Sequence, residues 1–179
     1  MTLVLLSAPS GLGKTMACTR TYDLAQRAGF KTAGILSLPS YTEGEKTAIL
    51  LQNMETGEIR PFARRAAANE SPDIGYWKMD EDTIQWGNAL LDSLPACDIL
   101  FVDEIGPLEL IYHRGLVHAL DAVKRATYRL AIITIRPSLL AILRQRFSPL
   151  QIQEMILTEH NRDELPQTLF HILQNEVSL

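Results

Sequence analysis

Two separated stretches of this chain hold the residue types that phosphate chemistry needs. The first is Ala8-Pro9-Ser10-Gly11-Leu12-Gly13-Lys14-Thr15, directly after the apolar run Leu3-Val4-Leu5-Leu6. It fits the pattern G-x-x-x-x-G-K-[ST] at Gly13, Lys14 and Thr15, with Ala8 in place of the first glycine. In that pattern, glycines turn backbone N–H groups inward around a run of phosphates, the lysine reaches the β- and γ-phosphates, and the hydroxyl binds Mg²⁺. Gly11 supplies a second flexible position, and alanine is the smallest replacement for glycine. A buried strand before the loop and a helix after it complete the context that the motif requires. That helix, expected over 14–28 with Gly29 as its C-terminal stop, aims its positive N-terminal end at the loop.

The second stretch is Asp98-Ile99-Leu100-Phe101-Val102-Asp103-Glu104-Ile105-Gly106. Four apolar residues running into two acids have the form of a buried parallel strand that delivers carboxylates at its C-terminal end. Beside a phosphate-binding loop, Asp103 is placed to hold Mg²⁺ together with Thr15, and Glu104 to orient the water that attacks a γ-phosphate. The plain alternative for Glu104 is an acid that caps the following loop. A transferase must keep water off the γ-phosphate whereas a hydrolase must position it, and an acid pair suits the hydrolase.

The elements that must carry these residues alternate between strand and helix. Residues 31–38 read as a strand closed by Pro39, which completes a right-handed β-α-β unit. Two strand-like runs around Gly57 then read as a β-hairpin over about 46–65, with Pro61 at an edge or bulge. Its arginines Arg60, Arg64 and Arg65 belong either to a lid or acceptor-phosphate site, or to an edge strand whose charges discourage aggregation. A loop over 66–73, a short strand over 74–79 and a helix capped by Asp80 follow. Beyond the acidic strand, Leu116, Val117, Leu120 and Val123 recur at helical spacing, so a helix is expected over 112–126 with these residues in the core.

Tyr128 to Thr134 reads as another buried strand, followed by Ile135-Arg136-Pro137. Thr134 is a candidate γ-phosphate sensor, and Arg136 either stabilises transition-state charge or marks an ordinary strand-to-helix junction. A last strand over 152–157 and a last helix over 162–174 flank Thr158-Glu159-His160-Asn161. Asn161 and Arg162 therefore sit at the ligand edge of an open sheet and could touch base or sugar, with Asn161 as helix N-cap the plain alternative. The fold expected is one α/β domain over 1–179, a mainly parallel sheet flanked by helices with an antiparallel hairpin extension.

Composition narrows the classes further. A hydrophobic content of 46% and a charged content of 21% are those of a globular protein with a real core. A net charge of −4 disfavours a nucleic-acid partner. The N-terminal apolar run is too short for a signal-peptide core, so a cytoplasmic protein with no membrane segment is expected. Cys18 and Cys97 form no metal-binding pair, and His113, His118, His160 and His171 show no metal-site spacing, which leaves Mg²⁺ delivered with a nucleotide as the expected metal.

Three stretches together resemble the THEP-type nucleoside-triphosphatases, the P-loop family whose animal branch is called cancer-related nucleoside-triphosphatases. They are the loop from Ala8 to Thr15, Val102-Asp103-Glu104-Ile105-Gly106-Pro107-Leu108-Glu109-Leu110, and Leu157-Thr158-Glu159-His160-Asn161-Arg162-Asp163. The resemblance implies a RecA-like sheet and Mg²⁺-dependent hydrolysis of ATP, GTP and other nucleoside triphosphates to the diphosphate, with weak base selectivity. It implies binding by Ala8, Pro9, Ser10, Gly11, Leu12, Gly13, Lys14, Thr15, Met16, Asp103 and Glu104. The chain departs from the family at Ala8, Ser10 and Met16, and Ala8 is the departure expected to lower affinity or turnover. Catalytic roles fall to Glu104, Lys14 and Arg136, and without an assured arginine finger the turnover expected is slow. A nucleotide or small-molecule kinase and a nucleotide-dependent switch acting through an unknown protein partner are the alternatives.

Overall fold

The computed structural model describes residues 1–176. β1 (Thr2–Ser7) and α1 (Lys14–Arg27) come first, then β2 (Thr32–Thr42), β3 (Glu45–Asn53), β4 (Ile59–Arg65) and β5 (Trp77–Met79) in direct succession. α2 (Glu81–Asp92) leads into β6 (Ile99–Ile105) and the short α3 (Pro107–Leu110). The chain ends through α4 (Ala119–Arg125), β7 (Leu130–Ile135), α5 (Leu140–Phe147), β8 (Ile152–Ile156) and α6 (Leu165–Asn175).

The eight strands of the described residues join one sheet in the order β5-β4-β3-β2-β6-β7-β1-β8. The half from β2 to β8 is parallel, and β3, β4 and β5 extend it antiparallel at one edge. The central strands are apolar on both faces because helices cover both. Val4 and Leu6 pack with Cys18 and Ala25 of α1 and with Leu169 and Phe170 of α6. Leu3 and Leu5 face the opposite layer, which includes Leu91 of α2, Val123 of α4 and Phe147 of α5. Among the described residues, no helix is long and apolar enough to cross a membrane.

Local signals act as the sequence predicts at the end of α1 and at the start of α2. The Asp80 carboxylate accepts the Thr83 N–H at 2.8 Å and caps α2. At the end of α1 the N–H of Phe30 bonds the Ala25 carbonyl at 3.0 Å around Gly29, whose φ is +80°.

Three expectations need correction. Pro39 does not close β2, which runs on to Thr42. β2 pairs with β6 only over Thr32 to Ile35, so one side of its second half carries no ladder and the missing N–H of Pro39 is tolerated. The chain then turns at Glu43 (φ +52°) and Gly44 (φ +83°), the two-residue hairpin geometry that needs positive φ at both places. The extension is therefore a three-stranded addition entered by this turn. The hairpin expected over 46–65 is its β3–β4 part, with Pro61 beside a register shift.

The helix expected over 112–126 shrinks to Ala119–Arg125. A part-buried carboxylate reshapes the preceding segment: Glu109 accepts the Gly106 N–H at 3.0 Å and the Leu116 N–H at 3.2 Å. Gly115 adopts φ +73°, and a Cβ there would lie 2.5 Å from the Glu109 carboxylate. Leu116 and Val123 are core residues as expected, but Val117 is 39% exposed. Burial raises the Glu109 pKa against the bonds that it accepts. Finally, α6 starts at Leu165, and Asn161 does not cap it. The Asn161 side chain closes the loop ahead of the helix, accepting the Thr158 N–H at 2.8 Å and donating to the Ile156 carbonyl at 2.9 Å.

Two stability measurements check this account. At Gly34 (φ +96°) an added Cβ would sit 2.0 Å from the Phe101 carbonyl oxygen, in the middle of the sheet. Gly34→Ala should cost more than about 4 kcal/mol in denaturant unfolding, whereas Gly29→Ala, with open space around its Cβ, should cost about 1–2 kcal/mol. Glu109→Gln turns an amide NH₂ towards one of two N–H groups and should cost about 1–3 kcal/mol. An unchanged midpoint for Glu109→Gln would show that the carboxylate does not organise the segment.

Candidate active site

The loop between β1 and α1 takes its shape from two glycines. Gly11 (φ +82°) and Gly13 (φ +110°) occupy the left-handed region that L-residues avoid. Ala8 does not lie there, so the position at which the pattern loses a glycine asks for no special backbone. Ala8 is fully buried and packs into the α1 and α6 layer, and its N–H reaches the Ile135 carbonyl at 3.3 Å. Lys14 is 6% exposed, and its ammonium donates to the carbonyls of Ala8 at 2.9 Å and Pro9 at 3.2 Å. Burial lowers its pKa, and the charges of Glu104 and Asp103 work against that shift.

Thr15, one residue into α1, donates its hydroxyl to Asp103 Oδ2 at 2.8 Å, joining the two halves that the sequence set far apart. The Asp103 carboxylate also receives the Thr134 hydroxyl from β7 on Oδ1 and the Ser37 N–H from β2 on Oδ2 at 3.2 Å. The Ser37 hydroxyl donates to the Asp103 carbonyl at 2.6 Å. Asp103 is 1% exposed, and burial raises its pKa while these donors oppose the shift. A hydroxyl beside a dry carboxylate is a set of hard oxygen donors that suits Mg²⁺. Among the described residues no group of three or more His, Cys, Asp or Glu side chains could hold a metal. A cation held by Thr15 and Asp103 would thus complete its shell with substrate oxygens and water.

Glu104 follows Asp103 where the β6–β7 register shifts between Val102 and Ile105. Its carboxylate is part-exposed, and it pairs with Arg136 Nε from the end of β7 at 3.2 Å. Thr134, the candidate γ-phosphate sensor, and Arg136, expected either to stabilise charge or to mark a strand-to-helix junction, are thus engaged with Asp103 and Glu104. A cavity of about 340 Å³ opens beside the loop, lined in part by Leu12, Met16, Arg20, Arg162 and Asp163. Arg162 and the exposed Met16 belong to it. Asn161 does not line it and serves its own loop instead.

The arginines of the extension are all engaged with nearby acids. Arg60 pairs with Glu58 at 2.8 Å, Arg64 bonds both oxygens of Glu70, and Arg65 pairs with Glu45 at 3.0 Å. Sequence reasoning overlooked Ser37, which bonds Asp103, and Lys46, on whose ammonium the charges of the acid pair act. Ser37 gave a weak signal, a small polar residue late in a strand. Lys46 was obscured because the Glu43-Gly44 turn was not recognised, so nothing showed where the start of β3 would lie.

Residues 3–170 match a family model described as NTPase. Nucleoside-triphosphatase THEP1 of Methanosarcina acetivorans is 27% identical over 172 residues, covering 94% of this chain and 95% of its own. The protein of that name from Thermofilum pendens is 26% identical over 167 residues, covering 92% and 91%. The solution structure of a human cancer-related nucleoside triphosphatase superposes with a TM-score of 0.76 at 17% identity, covering 99% of this chain and all of that one. The crystal structure of THEP1 from Aquifex aeolicus gives 0.66 at 17% identity, covering 98% and 100%. At such identity the two structures establish a shared fold, and the sequence match over nearly the whole chain carries the assignment: this chain belongs to the NTPase family.

Proposed function

We propose that this chain hydrolyses nucleoside triphosphates to the diphosphate and phosphate in a Mg²⁺-dependent reaction, acting on dissolved ATP, GTP and other nucleotides in the cytoplasm. The observation that carries the reading is the bond between Thr15 and buried Asp103, with a second carboxylate, Glu104, next to it and accessible to water. Relatives named nucleoside-triphosphatase support the reaction class.

Each group then has a task. The N–H groups of loop 8–13 and of the start of α1 surround the phosphates, and Lys14 exchanges its two carbonyl partners for phosphate oxygens. Thr15 and Asp103 would hold Mg²⁺, which would supply positive charge against the phosphates. Glu104 accepts a hydrogen bond from the attacking water and polarises it, and Arg136 fixes the direction of the Glu104 carboxylate. With its guanidinium on Glu104, Arg136 is not a free finger, which fits slow turnover. Leu12, Met16 and the Arg162 guanidinium form the cavity beside the loop, where apolar and planar surfaces accept any base face and give broad specificity. The acids paired with Arg60, Arg64 and Arg65 weigh against an acceptor-phosphate site, and so against the kinase reading.

Glu104→Gln should retain ATP binding while phosphate release falls by about 10²–10⁴-fold. Wild-type kcat/KM for ATP, GTP, CTP and UTP should agree within about tenfold, and chelation of Mg²⁺ should abolish turnover of each. Near-normal turnover in Glu104→Gln would reassign the water-positioning role.

A further inference from the structure

The extension carries a lysine at the carboxyl edge of the sheet, within the electrostatic reach of the acid pair. β2 continues past Ser37, which touches Asp103, for five more residues before the Glu43-Gly44 turn, so the start of β3 overhangs the carboxyl edge of the parallel sheet. Lys46 is the second residue of β3 and stands opposite Tyr41. It is half-buried, and its pKa is lowered by that burial, while the charges acting on its ammonium are those of Glu104, Asp103 and Arg136. Glu45, its neighbour in sequence, is taken by Arg65.

Five basic side chains lie in β3, β4 and β5. Arg60, Arg64 and Arg65 are paired as described, and Lys78 pairs with Asp73 at 3.4 Å. Among the described residues, Lys46 alone of these five has no carboxylate within 4.0 Å. Its ammonium lies 5.4 Å from the centroid of the Trp77 ring, a partner that holds a cation in place without cancelling its charge. Its backbone is fixed as well, because the Lys46 carbonyl accepts Arg65 Nε at 3.0 Å.

We propose that Lys46 is a catalytic residue which contacts the γ-phosphate from the side opposite Lys14 and stabilises the charge that builds there as the bond to the leaving diphosphate breaks. The inference rests on the hydrolase reading above and deepens it by naming the in-chain source of a charge that Arg136, held by Glu104, does not supply. A lysine offers one point charge where an arginine offers a rigid fork, in keeping with a slow enzyme. It also gives the antiparallel extension a catalytic purpose.

The test uses the full chain with Lys46→Met and Lys46→Arg, each checked for an unchanged unfolding midpoint. Steady-state hydrolysis of ATP with Mg²⁺ is measured beside the affinity for ADP alone and for ADP with aluminium fluoride, which mimics the transferring phosphoryl group. Lys46→Met should lower kcat by about 10²-fold, leave ADP affinity unchanged, and lose the tightening that aluminium fluoride gives the wild type. Lys46→Arg should recover part of both. Unchanged kcat and unchanged tightening in Lys46→Met, or a parallel loss of ADP affinity, overturns the assignment. If the wild type released no phosphate from any nucleoside triphosphate, the hydrolase reading would fall, while the aluminium fluoride comparison would still decide the role of Lys46.

Discussion

The buried carboxylate of Asp103 is the point at which the rest of this structure meets. An ionised acid with almost no exposure is costly unless its oxygens are fully bonded. Here the donors are neutral: the hydroxyls of Thr15 and Thr134 and the N–H of Ser37. They come from α1, β7 and β2, so satisfying one group ties the start of the first helix to three parallel strands. Neutral donors solvate the charge without cancelling it, and among the described residues no basic side chain lies within ion-pair distance. The site therefore keeps a net attraction for a cation, which is the electrostatic condition for a divalent ion to bind there with a polyanionic substrate.

Strand order makes this arrangement possible. β7 lies between β1, which feeds the loop, and β6, which carries the acids. The end of β7 thereby brings Thr134 to Asp103 and Arg136 to Glu104 at the carboxyl edge. The extension adds to the same edge from the far side, because β2 outruns its parallel partner and returns as β3.

Most of the parallel half was legible in the sequence. Continuous apolar runs such as Leu3 to Leu6 and Ile99 to Val102 are buried on both faces, and Asp80 and Gly29 act as the cap and stop that their chemistry dictates. Legibility failed where a residue's partner is remote. Glu109 breaks the helical spacing of Leu116 to Val123 by binding N–H groups before and after it, a constraint that no periodicity records. Pro39 ends a strand in most settings, and only the one-sided pairing of β2 explains why it does not here. In the site, the loop, Thr15, Asp103 and Glu104 were readable because adjacent residues carry them. The engagement of Thr134 and Arg136 with the acids depends on sheet order, and the position of Lys46 depends on a turn that was not read.

The departure at Ala8 illustrates the difference between a motif and its physics. Glycine is needed where the backbone adopts positive φ, and in this loop those places are Gly11 and Gly13. Ala8 sits where the strand leaves the sheet, fully buried among the side chains that pack α1 and α6. Its methyl group adds apolar contact without opposing the backbone conformation. The expected penalty at this position rested on the pattern rather than on a conformational requirement, and the carbonyl of Ala8 still does what the loop needs by holding the Lys14 ammonium. The turn therefore carries no backbone strain at Ala8, and its special conformations fall on the two glycines that can adopt them.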